Sequence, residues 1–329
     1  MTTNYHTPIT VGAAANVSVV NNPLAQLDEE IGNLALVEKD GHIIQDEGVD
    51  LAQQQRINFT GSGVRATDTP GVTVVDVAGR EVLTAARTYY VRTDGSDSNT
   101  GLANTAGGAF LTAQKAINEA LNLDARTYQV TIQIGPGTRT AGMTISAQMT
   151  GTLPLIIIGD NSTPANCKIT TTAANCFTIT GGATVTISGF QPKTINSGNC
   201  LDVELGSVLI GYMTFDESAG FHQQLGEGAT VTWFANYSII GGAVGHCHTS
   251  SPCTFQTYAI TVTLTGTPAW GSFGAGAANG GTQYWANVTF SGSATGQRYY
   301  VHKNGVIDCG GGASETFLPG TSNCGVPTT

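Results

Sequence analysis

Five carboxylates gather in a stretch otherwise poor in charge: Asp202, Glu204, Asp216, Glu217 and, further on, Glu227. Cleaving a glycosidic bond takes two such groups, about 5 Å apart where configuration is retained and about 6.5–9.5 Å apart where it inverts. Asp202 and Glu204 alternate along one run, which puts both on the same face of a strand. Glu204 and Glu227 could meet if they fall on neighbouring strands, which lie about 4.8 Å apart. The competing and preferred reading is a solvated outer face. A lyase would add a Lys or Arg base, and the sequence has neither between Lys193 and Arg298. The expectation leans away from an enzyme. If there is an activity, it is that of a polysaccharide glycosidase, with Asp202, Glu204, Asp216 and Glu227 as its candidate catalytic residues.

A second group is His246-Cys247-His248 with Cys253. A zinc site takes four such ligands, or three and a water. The number is right, but the spacing follows no zinc pattern, so the expectation is no metal and no cofactor, with His246 and His248 as the candidates. Strict alternation puts both imidazoles on one side of a strand, and three copies of His246 could meet on a symmetry axis. Asp94, Asp97 and Asn99 resemble part of a calcium loop, but no Glu occupies the twelfth position, and Asx turns explain these residues more simply. Aromatics concentrate in the last third: Trp233, Trp270, Tyr284, Trp285, Tyr299 and Tyr300. Their apolar rings with polar handles suit a sugar-binding surface, and Trp270, Tyr284 and Trp285 are the candidate receptor contacts.

The seven cysteines, Cys167, Cys176, Cys200, Cys247, Cys253, Cys309 and Cys324, are odd in number and include no CxxC pair. Buried free thiols acting as small hydrophobes are expected. Cys247 with Cys253 and Cys309 with Cys324 are close enough in sequence to pair under oxidising conditions.

The elements that must position these groups are mostly strands. Runs such as Val130–Ile134, Leu155–Ile158, Phe177–Ile179, Ala183–Ile187, Val208–Ile210 and Ala229–Trp233 are rich in β-branched residues and separated by turn residues. Gly182-Ala183-Thr184-Val185, Gly206-Ser207-Val208-Leu209 and Gly228-Ala229-Thr230-Val231 start 24 and 22 residues apart, and Cys176 lies 24 before Cys200. A period of this size is that of a solenoid coil. Aligning the three segments places Val185, Leu209 and Val231 in the interior. Upstream, Ala113, Ala116, Ile117, Ala120 and Leu121 mark one helical face. A single amphipathic helix at the head of a β-run predicts a cap over the exposed solenoid end. Nearer the start, Asn22-Pro23 opens a short helix in which Leu24, Leu27, Ile31 and Leu34 repeat as in a coiled coil. Two heptads are marginal alone, and three copies about an axis would supply the missing surface.

Composition agrees with an all-β chain. Of 329 residues 43 are Gly and only 11% are charged, with a net charge of −10 and no basic stripe. Nucleic acid is therefore a poor partner, no apolar run is long enough to span a membrane, and residues 1–20 lack the pattern of a signal peptide. Assembly in a cytoplasm is expected.

Three motifs carry a resemblance: Tyr90-Val91, Asp94-Gly95-Ser96-Asp97 and Phe110-Leu111-Thr112-Ala113-Gln114-Lys115-Ala116. Together they resemble the opening of right-handed β-helix (pectate-lyase-like) domains in bacteriophage tail fibres and tailspikes. The close match covers about a tenth of the chain. The resemblance implies a right-handed parallel β-helix with an N-terminal helical cap, preceded by a short helix and a small β neck, in a homotrimer. It divides the chain into an attachment segment (1–40), a neck (41–84), the capped β-helix (85–297) and a closing segment (298–329). It further implies a virion-surface appendage contacting other virion proteins and a host polysaccharide or receptor. A head fibre, a capsid decoration protein and a polysaccharide depolymerase share this architecture.

Overall fold

The computed structural model describes residues 79–310 and 316–322, together with the strands Gln45–Asp46, Val49–Asp50, Val64–Thr69 and Val72–Val77. Tertiary contacts divide the chain into two units, 1–79 and 80–329. In the first, Val64–Thr69 pairs antiparallel with Val72–Val77, and Gln45–Asp46 with Val49–Asp50. Leu24, Leu27, Ile31 and Leu34, the expected helix contacts, lie outside the described residues, as does Cys324.

The second unit is a right-handed parallel β-solenoid of about seven turns. Each coil gives one strand to each of three sides, as Thr184–Ser188, Gln191–Ser197 and Leu201–Val203 do before Ser207–Gly211 begins the next coil. The first side is a nine-stranded sheet running from Arg87–Val91 to Val306–Asp308. Another is a seven-stranded sheet running from Met143–Ile145 to Tyr299–His302. The remaining side joins a three-stranded and a four-stranded sheet through Thr214 N–H to Phe190 O (2.9 Å) and Asp216 N–H to Pro192 O (3.1 Å).

In-register pairing turns the period-2 apolar pattern into interior columns. Leu155, Val185, Val208, Val231 and Phe255 form one, and Ile132, Ile157, Ile187, Ile210 and Trp233 another, all buried. Here the sequence alignment of the repeats slips by one residue. Thr184 pairs with Ser207, so Val208 stands beneath Val185 and is 2% exposed, whereas Leu209 points outward and is 42% exposed. Gly206 stands in the place of Ala183, not of Gly182, because Ser207 N–H bonds to Ala183 O. A slip of one residue exchanges the two faces of a strand.

The cap forms as its sequence pattern requires. Helix Ala113–Leu121 buries Ala113, Ala116, Ile117 and Ala120, and the Thr112 hydroxyl accepts from Lys115 N–H. Asp97 holds the turn before it, its carboxylate accepting from Leu111 N–H (3.0 Å), Thr112 N–H (2.9 Å) and the Thr112 hydroxyl (2.7 Å). Asp94 pairs with Arg92 and Asn99 donates to the carbonyls of Ala106 and Ala109, so these three residues serve the turn. The loop also closes the sheet edge: Tyr90 N–H bonds to Gly101 O, and Phe110 N–H to Tyr90 O. Edge strands left open invite pairing with other chains.

The six described cysteines are free thiols, five of them buried. Cys176 and Cys200 stack on successive coils, one residue before the paired Phe177 and Leu201. Beside them Asn175 and Asn199 form a ladder in which each side-chain carbonyl accepts a backbone N–H of the next coil, from Asn199 (2.7 Å) and Phe221 (2.8 Å).

The register has a direct check. Val208→Asp buries an unpaired carboxylate and abolishes folding, while Leu209→Asp on the outer face changes unfolding free energy by about 0.5 kcal/mol or less. Urea denaturation of the two variants separates these outcomes.

Candidate functional site on the outer face of the seven-stranded sheet

The outer face of the seven-stranded sheet carries a track of half-buried rings. In one outward row Phe221, Gly245 and Phe273 are in register. The next row runs Thr178, Asp202, Gln224, His248, Gly276 and Tyr300 along the solenoid axis. The His248 ring stacks on Phe221 with centroids 4.8 Å apart. Phe221 and Phe273 lie 5.7 Å apart at 24°, and Phe273 and Tyr300 5.7 Å apart at 11°. Nearly parallel rings at that separation are offset, the arrangement that aromatic quadrupoles prefer.

Two glycines make the track possible. A Cβ on Gly276 would meet the Phe273 ring at 2.3 Å, so that ring occupies the space of a missing side chain. A Cβ on Gly245 would lie 2.5 Å from Phe273 O and 3.1 Å from the Phe221 ring. Without that side chain, rings two coils apart lean together.

Polar groups flank the rings. Gln224 Nε2 donates to Ser250 Oγ (3.0 Å) and Leu225 O (3.3 Å), which fixes its Oε1 as the acceptor of His248 Nδ1–H (2.8 Å). His248 Nε2 is thereby an acceptor, and burial lowers the pKa of this imidazole, keeping it neutral. At the next position along the row, Asp202 accepts from Asn175 Nδ2 (2.7 Å). Burial raises the Asp202 pKa against the lowering effect of that bond, and the neighbouring Glu204 raises it further.

The carboxylates singled out from sequence divide between places. Asp202 and Glu204 both face outward on Leu201–Val203 and its extension. The register sets Glu204 opposite Gly226, and Leu205 N–H bonds to Glu227 O, so Glu204 and Glu227 are offset by one residue. Asp216 lies at the end of the third side, where it accepts from Gln191 Nε2 (2.8 Å) and, with Glu217, surrounds the Lys193 ammonium.

Two of the three candidate receptor aromatics are core residues. Trp270 is 4% exposed and Trp285 1%, while Tyr284 is 41% exposed on the nine-stranded sheet. Each indole N–H has a carbonyl acceptor, the half-buried Pro319 O for Trp270 and the buried Gln283 Oε1 for Trp285, both at 3.0 Å. The rings that touch one another on the seven-stranded sheet are Phe221, Phe273 and Tyr300, of which only Tyr300 is among the aromatics singled out by residue type in the sequence.

The two candidate metal ligands are also separated. His248 faces outward, but His246 is 3% exposed inside the solenoid. The chain takes two inward residues in succession at this corner, His222-Gln223 on one coil and His246-Cys247 on the next, which breaks strict alternation. Copies of His246 therefore cannot meet on an axis outside the solenoid. Its partners complete a one-way chain of hydrogen bonds. Tyr237 O–H donates to His246 Nε2 (2.7 Å), His246 Nδ1–H to His222 Nδ1 (3.2 Å), and His222 Nε2–H to Asp216 O (2.9 Å). Both rings are neutral in this arrangement. Beside His246 lies a cavity of about 10 Å³ lined by Ile239, Trp270, Trp285, Phe290 and Leu318, space for no more than about one water. Among the described residues no group of three or more His, Cys, Asp or Glu converges as metal ligands do.

Burial pushes His222 down to about 4, and burial together with His222 pushes His246 well below the usual imidazole value. Unfolded imidazoles titrate near 6.5, so the unfolded chain binds the extra protons at mildly acid pH. The stabilisation is complete above about pH 6.5 and is lost as pH falls toward 4, by about 3 kcal/mol for His222 at about 1.4 kcal/mol per pH unit. NMR titration should find both imidazoles neutral at pH 5; a midpoint near 6.5 for either would refute the buried chain.

Comparison with protein-family models, with curated proteins and with solved structures returned no match.

Proposed function

We propose that this chain is a structural protein of a bacteriophage virion, a short tail-fibre or spike-like appendage that attaches the particle to its host. The observation that carries the reading is the ring track on a sheet face of a capped, weakly charged solenoid. A rigid platform with half-buried aromatics and fixed polar neighbours is suited to adhesion, since few side chains lose freedom on contact. The cap motifs at Tyr90–Ala116 resemble those of phage appendages and support the same reading. A homotrimer is part of the proposal, and a head fibre or decoration protein is its variant with a different attachment point.

A depolymerase is the second reading, favoured by one observation: the half-buried Asp202, with its raised pKa, lies beside the exposed Glu204. Two neighbouring carboxyl groups in unlike surroundings are the pairing that glycosidases use. Asp216 and Glu217, paired with Lys193, add nothing to it.

The test is competition. Purified chain, added to cells that the parent phage infects, should slow phage adsorption in a dose-dependent way, and antibodies against it should label virions. Its native mass should be near three times 33.9 kDa. Normal adsorption with unlabelled particles would refute the appendage reading. Release of reducing sugar ends from host polysaccharide, abolished by Asp202→Asn, would move the assignment to the depolymerase.

A further inference from the structure

We infer that the track Phe221–His248–Phe273–Tyr300 binds an uncharged polysaccharide chain laid parallel to the solenoid axis. This rests on the adhesive reading above and adds the class of ligand and its direction.

Direction follows from the register. The four rings come from four successive coils. At about 4.8 Å between strands, the track extends about 14 Å along the axis. Across the strands it is narrow, confined to two adjacent outward rows. An extended polymer is the ligand shape that covers such a strip, and the offset rings present apolar surface suited to the C–H faces of successive sugar rings. Hydroxyl recognition is available at its side: His248 Nε2 as an acceptor, held in that tautomer by Gln224, and Ser250 Oγ beyond it.

The charge of the ligand follows from what the strip lacks. From residue 194 through residue 297 the chain has no Lys or Arg. Its central positions, Phe221, Gln224, Gly245, His248, Ser250, Phe273 and Gly276, bear no formal charge, the imidazole being neutral. A uronate or phosphate polymer would therefore cross the rings without a counter-cation and meet Asp202 and Glu204 at one end. Lys193 is engaged by Asp216 and Glu217 on another side. Arg298 and Lys303 flank only the last strand, Tyr299–His302. A polycation would meet the opposite mismatch there and would find only Asp202 and Glu204 to attract it. An uncharged chain suits the whole length.

The experiment uses the full chain on an array of bacterial surface polysaccharides sorted into neutral, anionic and amino-bearing polymers. Neutral polymers should be retained, with affinity changing less than about twofold between 50 and 500 mM NaCl, since contacts without charge are not screened. Phe273→Ala and Tyr300→Ala should each weaken binding about tenfold or more while circular dichroism and the melting temperature show a folded solenoid. Gly276→Ala, which displaces the Phe273 ring, should also weaken it, and Leu209→Ala on the nine-stranded sheet should not. Retention of anionic or amino-bearing polymers alone would overturn the inference, as would neutral binding indifferent to Phe273→Ala and Tyr300→Ala. A chain that blocks phage adsorption yet binds no polysaccharide would overturn it while leaving the adhesive reading intact.

Discussion

The structure depends on parallel, in-register hydrogen bonding between successive coils. Once Thr184 pairs with Ser207 and Ser207 with Thr230, each position belongs to a column, and a whole column points into the core or out to solvent. Interior columns can then be filled with Val and Ile at nearly constant width. Exterior columns acquire a property that no single coil has, since like groups recur about every 4.8 Å. The ring track and the asparagine ladder are both products of that repetition. Its cost falls at the ends, where unpaired backbone is exposed, and the Gly101–Phe110 loop and helix Ala113–Leu121 are placed where that cost arises.

The core changes character along the axis. Early coils hold Ile132, Ile157 and Ile187, whereas the later ones hold Trp233, Phe255, Trp270 and Trp285. Indoles bring N–H groups into an apolar interior, where an unsatisfied donor costs about 1–3 kcal/mol. Each meets a specific acceptor: Gln223 Oε1 for Trp233, Gln283 Oε1 for Trp285 and Pro319 O for Trp270. Gln223, Gln283 and the histidine pair are thus explained by the tryptophans and the tight corner. Around the later indoles the polar side chains answer one another, with neutral imidazoles and matched donors.

How far the fold could be read from sequence follows from the same physics. Strand runs, the coil period and the helical face are local patterns, and they led to a capped solenoid. Register is a relation between coils, set by turns whose lengths differ: Gly181-Gly182-Ala183 precedes one strand and a shorter connection through Leu205-Gly206 the next, so Leu209 was assigned to the wrong face. The site was harder to see for a related reason. Phe221 and Phe273 come together only because Gly245 stands between them on the intervening coil. Two inward residues at one corner put His246 in the core and His248 outside. Trp270 and Trp285 are plausible surface rings by residue type, but large indoles are also side chains well able to fill the interior of the later coils.

The contrast between the two wide sheets shows why the track, and not aromatic content as such, suggests a ligand surface. The nine-stranded sheet also exposes apolar groups, Leu209 and Tyr284 among them, in rows dominated by threonine. Leu209 and Tyr284 stand three coils apart in their row, with Thr232 and Gln256 between them, and the exposed rings Tyr212 and Phe234 meet only edge to face beyond the strand ends. On the seven-stranded sheet the rings touch, glycines give them room, and Gln224 fixes the tautomer of the imidazole among them. Holding three aromatic rings and one histidine in place costs conformational entropy during folding, so less remains to be lost on binding. In the proposed appendage, an arrangement held this firmly by the backbone register would bind without the protein rearranging.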